Sequence, residues 1–422
     1  MAVRSWPFLL AALAFVAGCR AGTRSPGPVV RDSAGISIVE NRVDPATAGH
    51  AFRVAPLPAM DVGGDPQDTL EHFLRISRVV PLGHARLAIL SSGTNSIAVF
   101  DSLGRHQYSV GRVGGGPGEY QRPRDVFRCA DDTLMVSDAG KLIIFSPAGR
   151  YVRTEPVRRA TGDGPLVPWA PAADCSTFLW RTGSYEIPPV GRSGRIPVIL
   201  FWGSLDGTAR DTAGEFPSLE IATRVINGMN QPLAVPWGAD LVWAVDGDRL
   251  YVASSEIPEI RVFERGSGLV RIIRWGGQKV PITTEDRRAY EEKRTRWLEV
   301  YPQLAEVMPP LREHSDLPQS RPLMRAFLVD DRQNLWVRAY PASVAGRPDR
   351  YDFGMPLWDR PGPDDSPESW TVFDPAGQLL GSVAVPGEFE VKAIRGDALI
   401  GVWKDTLDVE HVRSYRLLPG GG

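Results

Sequence analysis

Lysine is nearly missing from this chain of 422 residues: of 48 basic side chains only Lys141, Lys279, Lys293, Lys392 and Lys404 are lysine. Against 50 acidic residues the formal net charge is -2, which excludes a general polyanion binder and leaves no nucleic-acid partner to expect. The arginine excess then reflects base composition more simply than phosphate recognition. Cysteine is scarce, with three residues, and the six histidines at positions 50, 72, 84, 106, 314 and 411 have no ligand-like spacing, so the sequence offers no zinc site. A Gly-x-Ser-x-Gly elbow is absent, and no catalytic constellation stands out. The glycine-dense stretch Val113–Tyr120 (VGGGPGEY) lacks the Lys-Ser/Thr pair of a phosphate loop, and Pro117 removes a donor, so nucleotide binding is rejected there. The adjacent carboxylates Asp131/Asp132 and Asp330/Asp331 fall in turns, where turn chemistry accounts for them.

What the chain does have is a repeat. From Ile97 to Val152 a pattern occurs twice: an apolar run, a turn written Asp or Ser, two residues and Gly, then a second run. This is how an antiparallel hairpin looks in sequence. The turn returns at Phe100–Gly104, Phe145–Gly149, Phe201–Gly207, Phe263–Gly268, Phe373–Gly377 and, frayed, Tyr415–Gly420, and a second apolar run precedes each copy, starting at Leu87, Leu134, Thr177, Leu250, Leu335 and Leu399. The glycines lie 45, 58, 61, 109 and 43 residues apart. A period of about 45 residues marks a β-propeller or another stacked array. The fold class is therefore all-β, a six-bladed β-propeller of four-stranded antiparallel blades, over residues 37–422.

The widest gap predicts two insertions. One, about residues 281–318 between blades four and five, is helical: Thr283 or Thr284 caps it, Glu285 and Asp286 sit at its positive end, and Pro302 ends it. Tyr290, Trp297 and Tyr301 share one face, read as packing onto the propeller. The other, a Pro- and Asp-rich loop at about 341–369, interrupts the fifth blade. Near the start, Gly35–Glu40 and Phe52–Val62 are strand-like, and Pro56 and Pro58 confine the second run to a sheet edge. Both are assigned to closing the ring.

Residues 1–18 read as a secretory signal, and Val16–Cys19 resemble the lipobox of bacterial lipoproteins. That resemblance implies lipidation at Cys19 and anchoring to a membrane, with residues 19–36 as a polar tether. Arg20, where an Asp would favour the inner membrane, implies an outer-membrane lipoprotein on the periplasmic or cell-surface side. Cys129 and Cys175 then remain, either bonded to each other in this oxidising compartment or left as buried thiols.

Ile97–Pro123, and more loosely Asp61–Gly64 and Trp275–Thr283, resemble the bacterial six-bladed, NHL-like β-propeller lipoproteins, whose repeats join a VFD-x-x-G turn to a G-x-G-PGE-[FY] linker. The resemblance implies architecture more than activity. Two functions remain open. One is a noncatalytic binding or scaffold module, monomeric, taking a protein, glycan or small anionic ligand at the channel mouth. The other is a propeller-type lyase or lactonase with calcium in the channel. Inner strands are expected to start at His72 and Arg75, Arg122 and Arg124, Trp169, Trp237, Arg325, and Glu390 with Lys392. They are rich in cations and aromatics and poor in acids, which favours binding, with Arg75, Arg124, Trp169, Trp237, Arg325 and Lys392 as the ligand contacts and no cofactor.

Overall fold

The structure, a computed structural model, describes residues 27–420 apart from 65–71, 130, 139, 158–166, 184–185, 206–207, 278, 315–316 and 341–366. The signal segment and Cys19 lie outside the described residues. The protein is nearly all-β, and its main strands fall into six antiparallel sheets in chain order. Sheet I runs Ile76–Leu82, Arg86–Ser91, Ser96–Phe100 and His106–Ser109, and sheet II runs Pro123–Arg128, Leu134–Asp138, Lys141–Phe145 and Tyr151–Pro156. Sheet III has five strands, Val167–Pro171, Thr177–Gly183, Ser193–Ser204, Ala209–Ile226 and Met229–Ala234. Sheet IV contains Leu241–Asp246, Arg249–Ser254, Glu259–Glu264 and Gly268–Trp275, sheet V Met324–Val329, Leu335–Ala339, Glu368–Phe373 and Leu379–Val385. Sheet VI contains Phe389–Arg395, Ala398–Lys404 and Glu410–Pro419.

The middle strands read as unbroken apolar runs because both of their faces are covered. In sheet I, Leu87 and Ile89 point into a core shared with Ile400 and Val402 of sheet VI. Their neighbours Ala88 and Leu90 point into a core shared with Val126 and Val136 of sheet II. Further clusters join II with III, III with IV, IV with V, and V with VI. Each fully buried Leu or Ile contributes about 1.5–3 kcal/mol, so the sheets are held face to face by apolar packing.

Polar links repeat this order at the turns between first and second strands. Gly83 N donates to both Asp132 carboxylate oxygens at 2.9 and 2.8 Å, joining I to II. The Cys129–Cys175 disulfide, with Cα atoms 5.9 Å apart, joins II to III. Ala173 N donates to Asp248 at 3.4 Å (III to IV), Arg249 to Gln333 at 3.2 Å (IV to V), and Gly396 N to Asp331 at 2.8 Å (V to VI). The Arg395 guanidinium donates to the Leu82 carbonyl and returns from VI to I. These turns therefore share one face, and the linkers entering the first strands share the other.

At three of the turns the glycine has a packing cause. Gly104, Gly149 and Gly377 have φ of +80°, +73° and +86°. A Cβ on them would stand 2.8 Å from Val62, 2.5 Å from Tyr108 and 2.8 Å from Ile273, all on the outer strand of the preceding sheet. Only glycine meets both the left-handed backbone and the close approach.

Some expectations need correction. Phe52–Val62 is the edge strand of sheet VI, antiparallel to Glu410–Pro419. For that reason no turn forms at Tyr415–Gly420: the outer strand comes from the other end of the chain. Ile36–Asn41 does not join it but runs parallel to Gly268–Trp275 in sheet IV. Val29–Ser33, placed in the tether, pairs with Ile36–Asn41 as a further strand. The helical insertion is present as α1, Thr284–Val300. Thr283 Oγ1 accepts Asp286 N at 3.2 Å while Thr283 N donates to Asp286 Oδ2 at 2.7 Å, an acidic version of the capping box. Of the loop insertion, residues 341–366 lie outside the described residues, and Glu368 and Ser369 belong to sheet V.

Candidate ligand-binding mouth

The linkers into three of the first strands are fixed by a buried polar side chain of the sheet they enter. Ser91 Oγ accepts Leu74 N at 2.9 Å ahead of sheet I, Asp138 accepts Gln121 N and Arg122 N at 3.0 and 2.8 Å ahead of sheet II, and Ser255 Oγ accepts Asp240 N at 2.9 Å ahead of sheet IV. Asp138 is fully buried, so those two N–H donors are what its charge rests on, with Lys141 3.7 Å away. Glu410 of sheet VI accepts Ile76 N of sheet I at 2.6 Å.

Just beyond these anchors the register slips. First strands of five sheets carry a one-residue bulge, at Ser77, Arg124, Trp169, Arg325 and Lys392. Bulges turn a side chain out of the sheet's alternation and are over-represented next to functional sites. The structure thus brings four candidates, Arg124, Trp169, Arg325 and Lys392, to equivalent places. Arg75 lies two residues before the bulge of sheet I, in the left-handed region at φ 56°, with its carbonyl held by Ser92 N and Oγ at 3.0 and 2.9 Å. A non-glycine residue held there is a strained position of the kind found at functional sites.

Charge is unevenly divided among these positions. Sheets V, VI, I and II are consecutive and supply Arg325, Lys392, Arg75 and Arg124. Both Arg75 and Arg124 are exposed, and among the described residues their guanidinium groups have no hydrogen-bond or ion-pair partner. The acids nearest in sequence are already taken: Asp125 by Arg78, Glu119 by Arg112 at 2.7 Å and by Gly116 N at 2.7 Å. The Gly116 N–H first, then the Arg112 guanidinium, hold the Glu119 carboxyl below the usual carboxylate range. Glu71 lies outside the described residues. Lys392 Nζ bonds Glu390 at 2.5 Å.

The III–IV side is aromatic. Trp169 stacks on Trp243 with ring centroids 4.2 Å apart, and Arg181 lies over Trp169 at 5.1 Å. Trp169 is half-buried, and its stacking joins the first strands of two sheets. Burial pulls the Arg181 and Arg195 guanidiniums down, against the nearby Asp240 and, for Arg195, Glu256 and Glu220. Trp237 is a correction: it is 2% exposed, has φ 55° and packs on Tyr290 of α1 with centroids 5.5 Å apart. It is core, closed to a ligand. Tyr301 is exposed, and the Trp297 side chain lies outside the described residues.

Sequence reading missed Arg78, Trp243 and Arg181, which sit inside apolar-looking strands and acquire their roles from neighbouring sheets. Among the described residues no three His, Cys, Asp or Glu side chains lie close enough to hold a metal ion, and no helix is long and apolar enough to cross a membrane.

Comparison with known proteins gives neither a matching protein family nor a matching curated protein. Among solved structures, the chain is similar to a Bacteroides fragilis protein described as exported, at 12% identity and a TM-score of 0.43, over 90% of this chain and 99% of that one. It is also similar to a DUF4221 family member from Bacteroides vulgatus, at 9% identity and a TM-score of 0.47, over 88% and 100% of the two chains. The WD40 domain of Neurospora crassa Pan2 is similar at 8% identity and a TM-score of 0.37, over 89% and 97%.

Proposed function

We propose that the six sheets are the blades of a six-bladed β-propeller, held outside the cytoplasm by lipid on Cys19, whose linker-face mouth binds an anionic ligand as a noncatalytic binding or scaffold module. The six shared cores and the returning series of turn contacts support the ring. An apolar h-region running into Val16–Cys19 supports the anchor, and Arg20 supports the outer membrane. Cys19→Ser protein that still fractionates with membranes would overturn that part.

One observation carries the binding reading: Arg75 and Arg124 stand exposed on adjacent sheets while Asp125 and Glu119 are engaged by other arginines. Guanidinium forks suit carboxylate or sulfate groups, free or on an acidic glycan. Attraction at an exposed mouth weakens with salt. Calorimetric titration of the mature protein with oligogalacturonate and with inorganic sulfate, at low and high ionic strength, tests it. Salt-sensitive binding is expected, and no heat at low salt rejects the reading. The calcium-dependent lyase or lactonase alternative has no donor cluster among the described residues to support it.

A further inference from the structure

The two faces of the molecule carry different side chains. Turns between second and third strands lie on the linker face: in sheet I, Ser92 N and Gly93 N donate to the Arg75 and Leu74 carbonyls of the linker at 3.0 and 2.7 Å. On this face Leu74, Val113, Ile257 and Leu407 stand exposed, with Met229 at the tip of the sheet III hairpin. In the turns of the opposite face Leu103 is the one large apolar side chain exposed among the described residues.

Two of these side chains are held out by turns built to do so. Leu407 is 81% exposed, and Asp405 Oδ1 fixes its turn by accepting Leu407 N at 2.8 Å and Val409 N at 2.9 Å. Leu74 is pinned on both sides, its N–H on Ser91 Oγ at 2.9 Å and its carbonyl on Gly93 N. The Glu410–Ile76 bond joins their two sheets, VI and I, at this end. Arg75 follows Leu74, and Arg124 stands on the next sheet, both exposed. Asp408, the acid beside Leu407, lies 3.7 Å from Lys404. Apolar tips set among arginines suit the boundary between acyl chains and anionic headgroups.

The tether leaves from the same face. Gly268–Trp275, the fourth strand of sheet IV, runs from the turn face to the linker face. Ile36–Asn41 is parallel to it and Val29–Ser33 antiparallel to Ile36–Asn41, so Val29 pairs with Glu40, and Glu40 with Arg274, at the linker end. From Cys19 to Gly27 is 27 minus 19, or eight, residues, at most about 29 Å when extended. A lipid on Cys19 therefore keeps the linker end of this hairpin within about 29 Å of its bilayer.

We propose that the linker face docks on a bilayer surface rich in anionic phospholipid, with Leu74 and Leu407 entering the headgroup–acyl boundary and Arg75 and Arg124 meeting phosphodiester groups. This rests on the reading of that face as a cationic mouth and names its partner.

The mature chain, made without its signal segment and with Cys19→Ser so that no acyl chain contributes, tests this. An environment-sensitive NBD label is placed at Leu407→Cys or at Leu103→Cys, and the protein is mixed with vesicles of phosphatidylcholine alone or of equimolar phosphatidylcholine and phosphatidylglycerol, with and without doxyl-labelled lipid. On the anionic vesicles the label at position 407 should brighten at least twofold and be quenched by doxyl lipid, and the label at 103 should do neither. Binding to phosphatidylcholine alone should be at least tenfold weaker. Leu407→Asp and Arg124→Glu should each weaken co-sedimentation with anionic vesicles at least fivefold at an unchanged Tm, and Leu103→Asp should leave it within twofold. A silent label at 407, an equal response at 103, or co-sedimentation unaltered by both Leu407→Asp and Arg124→Glu overturns the proposal. So does a dimer in solution that Leu407→Asp dissociates, which would assign the face to a second copy. Oligogalacturonate binding without vesicle binding would remove this proposal and leave the cationic mouth standing, and the anchor at Cys19 is tested separately by membrane fractionation.

Discussion

Arg78 grips Asp125 with two parallel hydrogen bonds, Nε to Oδ1 at 2.6 Å and Nη2 to Oδ2 at 2.7 Å, across the gap between the first strands of sheets I and II. The carboxylate next to Arg124 in sequence is thereby withheld from it. Asp125→Asn should cost about 1.5–3 kcal/mol, the range for a hydrogen bond to a charged group, read from urea denaturation. Anion binding should hold or strengthen, because the Arg124 charge stays in place. Unchanged stability would show that the pair is idle.

Gly149→Ala forces a left-handed alanine and a Cβ 2.5 Å from the Tyr108 ring. It should destabilise by about 1–3 kcal/mol. Gly115→Ala, with nothing within 4 Å of the added carbon, should stay within about 0.5 kcal/mol. Equal effects in thermal melts would remove the packing explanation for the repeat.

The Cys129–Cys175 bond closes a sequence separation of 46 residues. Replacing both cysteines by serine should cost about 3–4 kcal/mol by the loop-entropy argument. Two titratable thiols in oxidised protein, or an unaltered denaturation midpoint, would contradict it.

Stability should fall in two steps on acidification. Burial and then Arg224 depress the His314 pKa, so the folded protein favours neutral His314. That contribution is present above about pH 6.5 and is lost as pH drops below it. Glu313 and Glu291 also face the ring, with smaller and opposite effect. Burial pushes the Asp132 carboxyl up most, yet the Gly83 N–H, Arg128 and Arg86 together outweigh it and hold the group below its ordinary range. Its contribution is therefore present above about pH 3.9 and lost below it. Urea midpoints at pH 7.5, 5.5 and 3.5 should decline accordingly. His314→Gln should flatten the first interval and Asp132→Asn the second, and unchanged slopes in these variants would refute the assignment.

The second strands and most turns were legible because their signals are local: an apolar run covered on both faces, and a glycine that one turn requires. Pairing partners were not. Ile36–Asn41 joins sheet IV in parallel, and such an addition leaves no turn in the sequence. The frayed glycine at position 420 looked like a turn only because the strand it should lead to lies at Phe52–Val62. Arg124, Arg325 and Lys392 were visible as charges at the head of apolar strands, whereas Trp237 carried the same signal and is buried by an insertion whose docking the sequence does not encode locally.

The most direct test of the central claim compares anion affinity in wild type, Arg124→Glu and Arg416→Glu. Arg416 is exposed and pairs with Asp397 in the first turn of sheet VI, on the face opposite the linkers, so it controls for net charge. Calorimetry with oligogalacturonate at low ionic strength should show at least tenfold weaker binding for Arg124→Glu, near wild-type binding for Arg416→Glu, and Tm values within about 2 °C, since surface substitutions cost little. Equal affinity in all three proteins would contradict a cationic mouth.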